Sequence, residues 1–453
     1  MAPTDLTPSA VLRLLAGFPQ ARCCWIAYSG GVDSHVLLHL LYRLRNEITS
    51  ELRVLHVNHG INAGALQWSR HCAAVCKGLG LELVVERIDI DRPLGTSIES
   101  WARKQRYTLL ARHMQSGDLL LTAHHQQDQA ETLLLQLLRG AGVKGLAAMP
   151  RLREFCGGWH ARPLLDFTRP QILSYAVQAD LQWIEDDSNL DESLDRNFLR
   201  RQIWPRLQQH WPGLSRTLAR VANHQAQAAS LLEDLARQDL GSLRLQEGSI
   251  LDNRLLQSIS RPRLANLLRY WLQELALPTP NAGKLQQVIE DVIHSSYQAG
   301  PCVRWKNVEI RRYRYGVYAQ TVLPEHDPDL ILDWNLQESC GIPVGTLQAR
   351  LAQGRGIRCT AVPGEKLQIR YRKGGERLKP AGSEHHKPLK KLFQQRGILP
   401  WYRDRIPLLY AGDDLVAVAG YWVAGEYSAA DDEPGWEIHW SAAAQALTPD
   451  INR

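Results

Sequence analysis

The sequence predicts an α/β fold whose amino-terminal part is a parallel β-sheet with helices on both faces. Apolar runs alternate with helical patterns from Trp25 to Leu138, a glycine-containing turn joins the first strand to a helix, and polar clusters directly follow strands. Strands separated by helices form βαβ units, and the ligands of such sheets bind beyond the carboxyl ends of the strands. These polar clusters are therefore the candidate site residues.

The predicted elements of this part alternate regularly between helix and strand. In chain order they are a helix over Asp5–Leu15, a strand from Trp25, a helix to Leu41, a strand over Leu52–Val57, a helix over Ala65–Leu79, a strand over Leu81–Ile90, a helix over Ser97–His113, a strand over Asp118–Ala123, and helices over Asp128–Leu138 and Phe167–Ala179. The stretch Gly140–Gly145 fits GxGxxG, but it follows a helical pattern and not a strand, so it is interpreted as a helix end and loop.

The first strand runs into a six-residue turn, which is the most informative motif of the chain. It reads Ser29-Gly30-Gly31-Val32-Asp33-Ser34 and opens a helix. The glycines permit a sharp turn, and the hydroxyls and free amides at a helix start favour an anion such as a phosphate. A carboxylate beside phosphate oxygens indicates a bridging divalent cation, which makes Asp33 a candidate Mg²⁺ ligand. No lysine follows, so this is not the GxxxxGK[ST] loop of kinases and GTPases.

Further polar residues follow the second strand and lie on the fourth helix. The second strand ends in His56-Val57-Asn58-His59-Gly60, where two histidines and an asparagine are as consistent with a nucleotide-site rim as with a structural role. Arg103 and Arg106 share one helix face, where they either clamp a phosphate or form a solvated surface.

The stretch TAHHQQDQAET at the end of the fourth predicted strand carries the second site signal. His125, Asp128 and Glu131 recur every three residues and share a helix face directed to the carboxyl edge of the sheet. Two acids on one face suit a metal ion or a substrate ammonium group, although acids at a helix start also complement the helix dipole. Arg196 lies further along, as a substrate clamp or as part of an internal ion pair.

Composition and charge narrow the class of protein. The chain has 453 residues, enough for two to three domains, and a net charge of +6. Between Arg370 and Arg405 there are eleven Lys/Arg against three Asp/Glu, a concentration that suits phosphate backbones but also occurs on solvated faces. The eight cysteines are scattered and are expected to be reduced thiols. Neither a membrane span nor a leader pattern is present, so the sequence predicts a cytoplasmic protein without a membrane partner.

Pattern changes along the chain predict three domains. Residues 1–211 hold the α/β catalytic domain, and a helical pattern then dominates to about Ile293, followed by short strands with interleaved arginines and aromatics. A third part begins after the stretch Leu323–Asp329 and is rich in short strands, glycines and prolines. The predicted boundaries are 1–211, 212–325 for a mainly helical domain, and 326–453 for a small α+β domain.

Taken together in this order, the motifs resemble those of the tRNA(Ile)-lysidine synthases. The resemblance rests on SGGVDS, HVNHG, ARKQRY, AHHQQDQAET with RGAG, RNFLRRQIWPRL, KGGERLKPAG and KKLFQQRGILPWYRDRIPLLY, and it spans nearly the whole chain. It implies that residues 1–211 are a Rossmann-like PP-loop ATPase domain, that 212–325 is a tRNA-contacting domain and that 326–453 is a tRNA-binding domain. It also implies a ligase that cleaves ATP to AMP and pyrophosphate. The wobble cytidine of an isoleucine tRNA with a CAU anticodon is adenylated at C2, and the ε-amine of free L-lysine then displaces AMP to give lysidine.

The resemblance also implies roles for individual residues. Ser29, Gly30, Gly31, Val32 and Ser34 hold pyrophosphate, and Asp33 holds Mg²⁺ or assists the lysine. Asp128 and Glu131 bind the lysine amines and Arg196 its carboxylate, with Asp33 or Asp128 as the base. The remaining ATP contacts are His56, Arg103, Arg106 and His125. The expected tRNA contacts are Arg372, Lys373, Arg377, Lys379, Lys387, Lys390 and Lys391. Gln127 stands where the family usually has the first of two aspartates, so only Asp128 is carried over.

Two other functions remain open at this point. A PP-loop tRNA thiolation enzyme would share the loop but needs cysteines for sulfur transfer or an iron–sulfur cluster, and Cys72 and Cys76 are the nearest candidates. A small-molecule adenylating ligase would not need two further domains with a basic segment. The sequence does not determine the oligomeric state, and a homodimer is one arrangement that it allows.

Overall fold

The computed structural model describes residues 5–58, 64–88, 98–185, 191–245, 250–296, 300–362, 364 and 366–442. The chain divides into two compact units, residues 1–232 and 233–453. Each unit has its own hydrophobic core. No helix in the described ranges is both long and apolar enough to cross a membrane.

The first unit contains the helices and strands that carry the loop and acid motifs. They are α1 (Pro8–Leu15), β1 (Cys23–Ala27), α2 (Val32–Arg43), β2 (Glu51–Asn58), α3 (Ala65–Leu79), β3 (Leu83–Arg87), α4 (Ile98–His113), β4 (Leu119–Leu121), α5 (Gln126–Leu138), α6 (Val143–Leu146), β5 (Leu152–Phe155), β6 (Gly158–Ala161), α7 (Arg169–Gln178), α8 (Asp195–Phe198), a π-helical turn over Leu199–Ile203, α9 (Trp204–His210) and α10 (Leu214–Leu243), the end of which belongs to the second unit.

Six strands of this unit form one sheet in the order β3-β2-β1-β4-β6-β5. All neighbouring pairs are parallel except β5 and β6, which form an antiparallel hairpin at one edge. Alternate residues of β1 enter two cores: Ile26 packs with α2 and α7, whereas Trp25 packs with α4. The predicted parallel sheet with helices on both faces is therefore confirmed.

Most predicted elements are present, and the main omission is the edge hairpin. The predicted strand over 81–90 and helix over 97–113 reach into residues 89–97, which lie outside the described residues. The hairpin β5–β6 was not predicted; its Cys156-Gly157 turn joins two strands of only four residues each. Both turn residues have positive φ, at 51° and 75°, as the two central residues of a type I′ hairpin turn do.

The second unit combines helices with antiparallel sheets. Its elements are β7 (Leu251–Asp252), α11 (Asn253–Leu256), α12 (Arg261–Glu274), α13 (Ala282–Gln287), a π-helical segment over Val288–Ile293, β8 (Cys302–Trp305), β9 (Val308–Tyr313), β10 (Gly316–Thr321), β11 (Leu332–Asn335), β12 (Cys340–Ile342), β13 (Gly345–Gln353), β14 (Ile357–Arg358), β15 (Lys366–Arg370), β16 (Arg377–Leu378), β17 (Lys387–Pro388), α14 (Leu389–Gln395), α15 (Pro400–Arg403), β18 (Leu408–Ala411), β19 (Asp414–Val418), β20 (Trp422–Val423) and β21 (Pro434–Ala442).

The helices of this unit pack on a four-stranded sheet, β7-β10-β9-β8, around a core that includes Trp271 and Ile310. The residues that follow are β-rich, with one sheet in the order β11-β15-β18-β19-β20 and another in the order β12-β13-β21-β14. The predicted succession of a helical segment and a small α+β segment is confirmed. The domain boundaries themselves stay a prediction.

Strand β6 lies so close to the chain before β4 that Gly158 has no room for a side chain. A Cβ atom there would lie 2.3 Å from the carbonyl oxygen of Asp118. We predict that Gly158→Ala lowers the free energy of unfolding by about 1–3 kcal/mol, because the overpacked strand must shift. Gly78→Ala, in α3 with no atom within 4 Å of the added carbon, is the control and is expected to raise it by about 0.5–1 kcal/mol. Urea unfolding followed by circular dichroism measures both, and equal effects would contradict the assignment.

Candidate active site

The turn between β1 and α2 forms a compact loop whose conformation is fixed by its own serines. The Ser34 hydroxyl donates to the carbonyl of Gly31 at 2.9 Å, and the amide of Ser29 donates to Ser34 Oγ at 3.1 Å. Gly31 is the residue that precedes the first turn of α2, and as a glycine it has no side chain that could cap the helix. The first-turn amides of α2 therefore have no intrahelical acceptor and are available to an anion.

Gly30 is the residue of this loop that requires glycine. Its φ is +87°, in the left-handed region, and an added Cβ would lie 3.1 Å from Cys72 Sγ on α3. The Gly30 carbonyl accepts from the amide of Ile184 at 3.0 Å. The loop thus packs against α3 and is hydrogen-bonded to the segment that follows α7.

His125 joins the loop to α5. It caps α5: its Nδ1 accepts from the amide of Gln127 at 3.2 Å, and its own amide donates to Asp128 Oδ2 at 3.0 Å. Because Nδ1 is an acceptor, the ring proton lies on Nε2, which is 3.5 Å from Asp128 Oδ2 and 3.8 Å from Asp33 Oδ1. The ring is buried and bridges the two carboxylates, so the structure brings together the loop and the acid motif as the sequence predicts.

Asp128 and Glu131 are held by two arginines. Arg196 donates to Asp128 Oδ1 at 2.8 Å and to Glu131 Oε2 at 3.0 Å, while Arg200 contacts the same two carboxylates at 3.1 Å and 2.9 Å. Glu131 is fully buried, and its remaining oxygen also accepts from Gln127 Nε2 at 2.9 Å. The predicted alternative of an internal ion pair for Arg196 is therefore present in the structure.

These contacts occupy the acceptor positions of the two carboxylates but leave donors free on the arginines. In the described part of the chain, the Nη1 atoms of Arg196 and Arg200 make no hydrogen bond, and their side chains are 22% and 27% exposed. The predicted binding of lysine amines by Asp128 and Glu131 stays a prediction, and it requires an ammonium group to share these carboxylates with the arginines.

The electrostatic settings of the two candidate bases differ. Burial alone would raise the pKa of Asp128, but the adjacent His125 and the two guanidinium groups lower it by more than burial raises it. The pKa of Asp128 therefore lies well below the ordinary value of 3.8. Burial raises the pKa of Asp33 above the same value, and its neighbouring cations do not cancel that effect. Asp128 is therefore the weaker proton acceptor of the pair.

Asp33 also has a feature that suits a cation. Its Oδ1 is enclosed and accepts no hydrogen bond from the described residues, whereas the side chain as a whole is 35% exposed. No cluster of three or more His, Cys, Asp or Glu suited to a metal occurs among the described residues. An ion that uses one or two carboxylates and the phosphates of its substrate, as Mg²⁺ usually does, suits a carboxylate with one unpaired oxygen.

The other predicted nucleotide contacts lie in different surroundings. Both ring nitrogens of His56 are engaged within the protein, with the carbonyl of Tyr28 at 2.9 Å and with Ser69 Oγ at 3.1 Å, and burial lowers its pKa. A contact between His56 and ATP would require one of these bonds to break. Arg103 and Arg106 lie on α4 beside Tyr107, with their guanidinium carbons 5.2 Å and 5.4 Å from the ring centroid. The roles of all three residues stay predictions.

Sequence reasoning missed several residues of this region. Arg200 is one helical turn after Arg196, and the spacing of four could have identified it. The polar chain His124–Thr122–His160 gave no usable signal, because His160 comes from the unpredicted hairpin. Thr122 Oγ1 lies 2.9 Å from His124 Nδ1 and 2.9 Å from His160 Nε2.

The basic segment of the second unit is only partly free to bind nucleic acid. Arg372 is paired with Asp404 at 2.7 Å, and Lys373 is paired with Asp329. Five predicted contacts make no ion pair with a described carboxylate: Arg377, Lys379, Lys387, Lys390 and Lys391. Lys390 and Lys391 are exposed on α14. The solvated face that the sequence left open as an alternative is thus mixed with internal ion pairs.

Family models match three successive parts of the chain. A PP-loop domain model matches residues 7–207, a TilS substrate binding domain model matches residues 251–318, and a TilS substrate C-terminal domain model matches residues 367–440.

Full-length relatives give the same result. The chain is 40% identical to a tRNA(Ile)-lysidine synthase of Coxiella burnetii over 95% of this chain and 96% of that protein. It is 40% identical to the tRNA(Ile)-lysidine synthase of Alkalilimnicola ehrlichii over 97% of this chain and 98% of that protein. Among solved structures it is similar to a U34-tRNA thiolase of Methanococcus maripaludis at 18% identity and a TM-score of 0.42, covering 48% of this chain and 76% of that chain. A likeness this distant carries no argument about function.

The arginine pair allows a test of how the acids are held. We predict that Glu131→Gln lowers the free energy of unfolding by about 2 kcal/mol, because it leaves two guanidinium groups facing one carboxylate; their partial exposure keeps the loss below that of a fully buried pair. Glu131→Gln combined with Arg200→Gln should cost less than the sum of the single changes, since each removes the partner of the other. Urea unfolding measures this cycle, with the exposed Glu47→Gln as a neutral control. Strict additivity would show that the contacts carry no coupling.

Proposed function

Because this chain belongs to the tRNA(Ile)-lysidine synthase family, we propose a two-step ligase reaction with named residues for each step. The chain is an enzyme that uses ATP and forms lysidine on an isoleucine tRNA. The proposal concerns the bonds formed, the free lysine substrate, Mg²⁺ and the side chains that act on them. One observation supports it most: Asp33 of the loop and Asp128 of α5 both approach the same nitrogen of His125, Nε2, at 3.8 Å and 3.5 Å.

In the first step, the C2 carbonyl oxygen of the wobble cytidine in a CAU anticodon attacks the α-phosphorus of ATP. An O–P bond forms, and the bond from the α-phosphorus to pyrophosphate breaks. In the second step, the neutral ε-amine of free lysine attacks C2, the C2–O bond breaks and AMP leaves. The amine loses one proton to Asp33 or Asp128, of which Asp33 is the stronger proton acceptor, and the product carries a new C–N bond.

The loop Ser29–Ser34 has the role of binding the pyrophosphate part of ATP. Its open first-turn amides and the paired serine hydroxyls form a fixed set of donors, which need no rearrangement when charge develops on the leaving group. Asp33 is the residue that would hold Mg²⁺ through its unpaired Oδ1. The ion would neutralise phosphate charge, as it does in other phosphoryl transfers.

Lysine binding is assigned to the cluster of two acids and two arginines. The free Nη1 atoms of Arg196 and Arg200 suit the lysine carboxylate, since a guanidinium donates to a carboxylate in a planar geometry. Asp128 and Glu131 fix both arginines and provide the negative charge that attracts an amine. Arg200 joins the predicted Arg196 in this role because both contact the same two carboxylates.

The candidate cysteines of this chain do not have the reactive thiols that a thiolation enzyme needs. Cys72 and Cys76 are buried, and burial raises the pKa of these thiols to about 12 and about 11. Thiols of this kind are poor nucleophiles and poor metal ligands at neutral pH. A small-molecule adenylating ligase is disfavoured by the two substrate-domain matches outside residues 7–207. The homodimer stays a prediction, which light scattering would test.

The function is tested by product analysis. The full chain is incubated with ATP, Mg²⁺, labelled lysine and an isoleucine tRNA transcript with a CAU anticodon, and the nucleosides are then separated. We expect labelled lysidine together with AMP and pyrophosphate, and an adenylated tRNA when lysine is left out. Label incorporation without ATP, or into a transcript whose wobble cytidine is replaced by uridine, would refute the proposed chemistry.

The lysine site is tested by a pair of arginine variants five residues apart. We predict that Arg196→Gln raises KM for lysine by roughly tenfold or more, because a charge-assisted contact to the substrate carboxylate is lost. Adenylation of tRNA without lysine should be unchanged. Arg201→Gln is the matched control, since Arg201 pairs with Glu192 at 3.3 Å, whereas Arg196 pairs with Asp128 and Glu131. An equal effect of the two substitutions on KM for lysine would contradict the assignment.

A further inference from the structure

Four arginines of the first unit surround the side chain of Tyr107. Arg103 and Arg106 come from α4 and Arg153 from β5, with guanidinium carbons 5.2 Å, 5.4 Å and 5.6 Å from the tyrosine ring centroid. Arg162 directly follows β6 and acts electrostatically on the tyrosine hydroxyl. We call this group of four arginines and Tyr107 the arginine pocket.

The arginine pocket carries positive charge that the protein does not compensate. None of its four guanidinium groups forms an ion pair with a carboxylate in the described ranges; Arg162 and Arg153 instead approach His160 Nδ1, each at 3.3 Å. Arg196 and Arg200, by contrast, have two carboxylates each. Several like charges at short range repel each other in the ligand-free protein, so an anion between them would be strongly favoured.

Enclosed polar atoms without partners point to the same ligand class. The side chain of Arg162 is 1% exposed, and its Nε donates to no acceptor in the described part of the chain. The Tyr107 hydroxyl is also enclosed and makes no hydrogen bond there. Buried donors normally have acceptors, and a phosphate group offers enough oxygens for both.

The charge of these side chains persists at neutral pH. Burial lowers the pKa of Arg162, to about 10, which still leaves the group protonated. Burial and the adjacent arginines lower the pKa of His160 to about 2, so that ring is neutral and accepts from the arginines. The pocket therefore presents guanidinium charge without a competing histidine charge.

Access to the arginine pocket is graded from the inside outward. Arg162 and His160 are buried, Arg106 and Tyr107 are half-buried, and Arg103 and Arg153 are exposed. A ligand thus reaches the pocket from solvent and passes exposed arginines at the rim. This arrangement suits one phosphate of a long chain, because its neighbouring phosphates can contact the rim.

A short polar chain connects the arginine pocket to the active site. His160 Nε2 and His124 Nδ1 both contact Thr122 Oγ1 at 2.9 Å. His124 is close enough to the active-site Asp128 and Arg196 for both to influence its pKa. The polymer substrate must bring its reacting base to this active site, whereas the phosphates of ATP already have the loop Ser29–Ser34 in the proposed function.

We propose that the arginine pocket binds a backbone phosphate of the tRNA close to the nucleotide that is modified. The proposal rests on the proposed function, and it gives Arg103 and Arg106 a contact with nucleic acid in place of the predicted contact with ATP. Binding there would fix the register of the anticodon loop while leaving the reacting base to the active site.

The test compares two rim variants with a matched control in the full chain. Arg153→Gln and Arg103→Gln each remove an exposed charge beside Tyr107. Arg45→Gln removes an exposed arginine that also lies against a tyrosine, with its guanidinium carbon 4.1 Å from the Tyr42 ring, and that has no carboxylate partner in the described residues. The probe is a fluorescent anticodon stem-loop RNA, whose affinity is measured from about 50 to 200 mM salt.

We expect each rim variant to weaken RNA binding roughly five- to tenfold and to reduce the salt slope by about one, as the loss of one phosphate contact does. KM for ATP should be unchanged, and Arg45→Gln should match the wild type. Tyr107→Phe removes only an unpaired hydroxyl, so it should keep the thermal stability of the wild type and still weaken RNA binding.

Three results would overturn the proposal. A higher KM for ATP with unchanged RNA affinity in the rim variants would show that the pocket binds ATP. If both values were unchanged, the pocket would bind neither ligand. An equal loss of RNA affinity in Arg45→Gln would show that the rim arginines attract RNA only nonspecifically. Nucleoside analysis at saturating tRNA separates this proposal from the proposed function. The rim variants should still form lysidine there, whereas absence of lysidine in the wild type would refute only the function.

Discussion

The buried carboxylate of Glu131 is the constraint around which the active site is arranged. An ionised carboxylate without water is costly unless it is paired and hydrogen-bonded, and Glu131 meets this condition through two arginines and Gln127. The two arginines come from α8 and from the π-helical turn that follows it. Their ion pairs with Glu131 therefore hold this segment against α5. Once there, the arginines also hold Asp128, which in turn caps α5 through the amide of His125.

The arginines of the active site and those of the arginine pocket differ in whether carboxylates compensate their charge. The arginines at Glu131 are compensated and retain only their outer donors for a small ligand, whereas the arginines at Tyr107 lack carboxylate partners in the described ranges. Compensation gives a stable site with weak net charge, which suits a zwitterion such as an amino acid. Lack of compensation gives a strong field, which suits a polyanion.

The sequence could predict the parts of this site that depend on neighbours in the chain. The loop Ser29–Ser34 and the spacing of His125, Asp128 and Glu131 are local, and the strand-helix alternation places both at one sheet edge. It could not show that Arg196 lies on Asp128, because that contact joins residues 68 positions apart. The arginine pocket was missed because it depends on the hairpin β5–β6, whose strands of four residues are too short for a clear periodic pattern.

Gln127 shows how the surroundings decide the effect of a departure from a family pattern. In place of a second aspartate beside Asp128, its amide donates to Glu131, an acid that already faces two cations. An aspartate at this position would add a third carboxylate to two guanidinium groups. The glutamine instead supplies a neutral donor, so the cluster is balanced with two acids and two arginines. Charge balance at α5 can therefore be maintained with one acid fewer, provided that the remaining carboxylates keep both of their arginines.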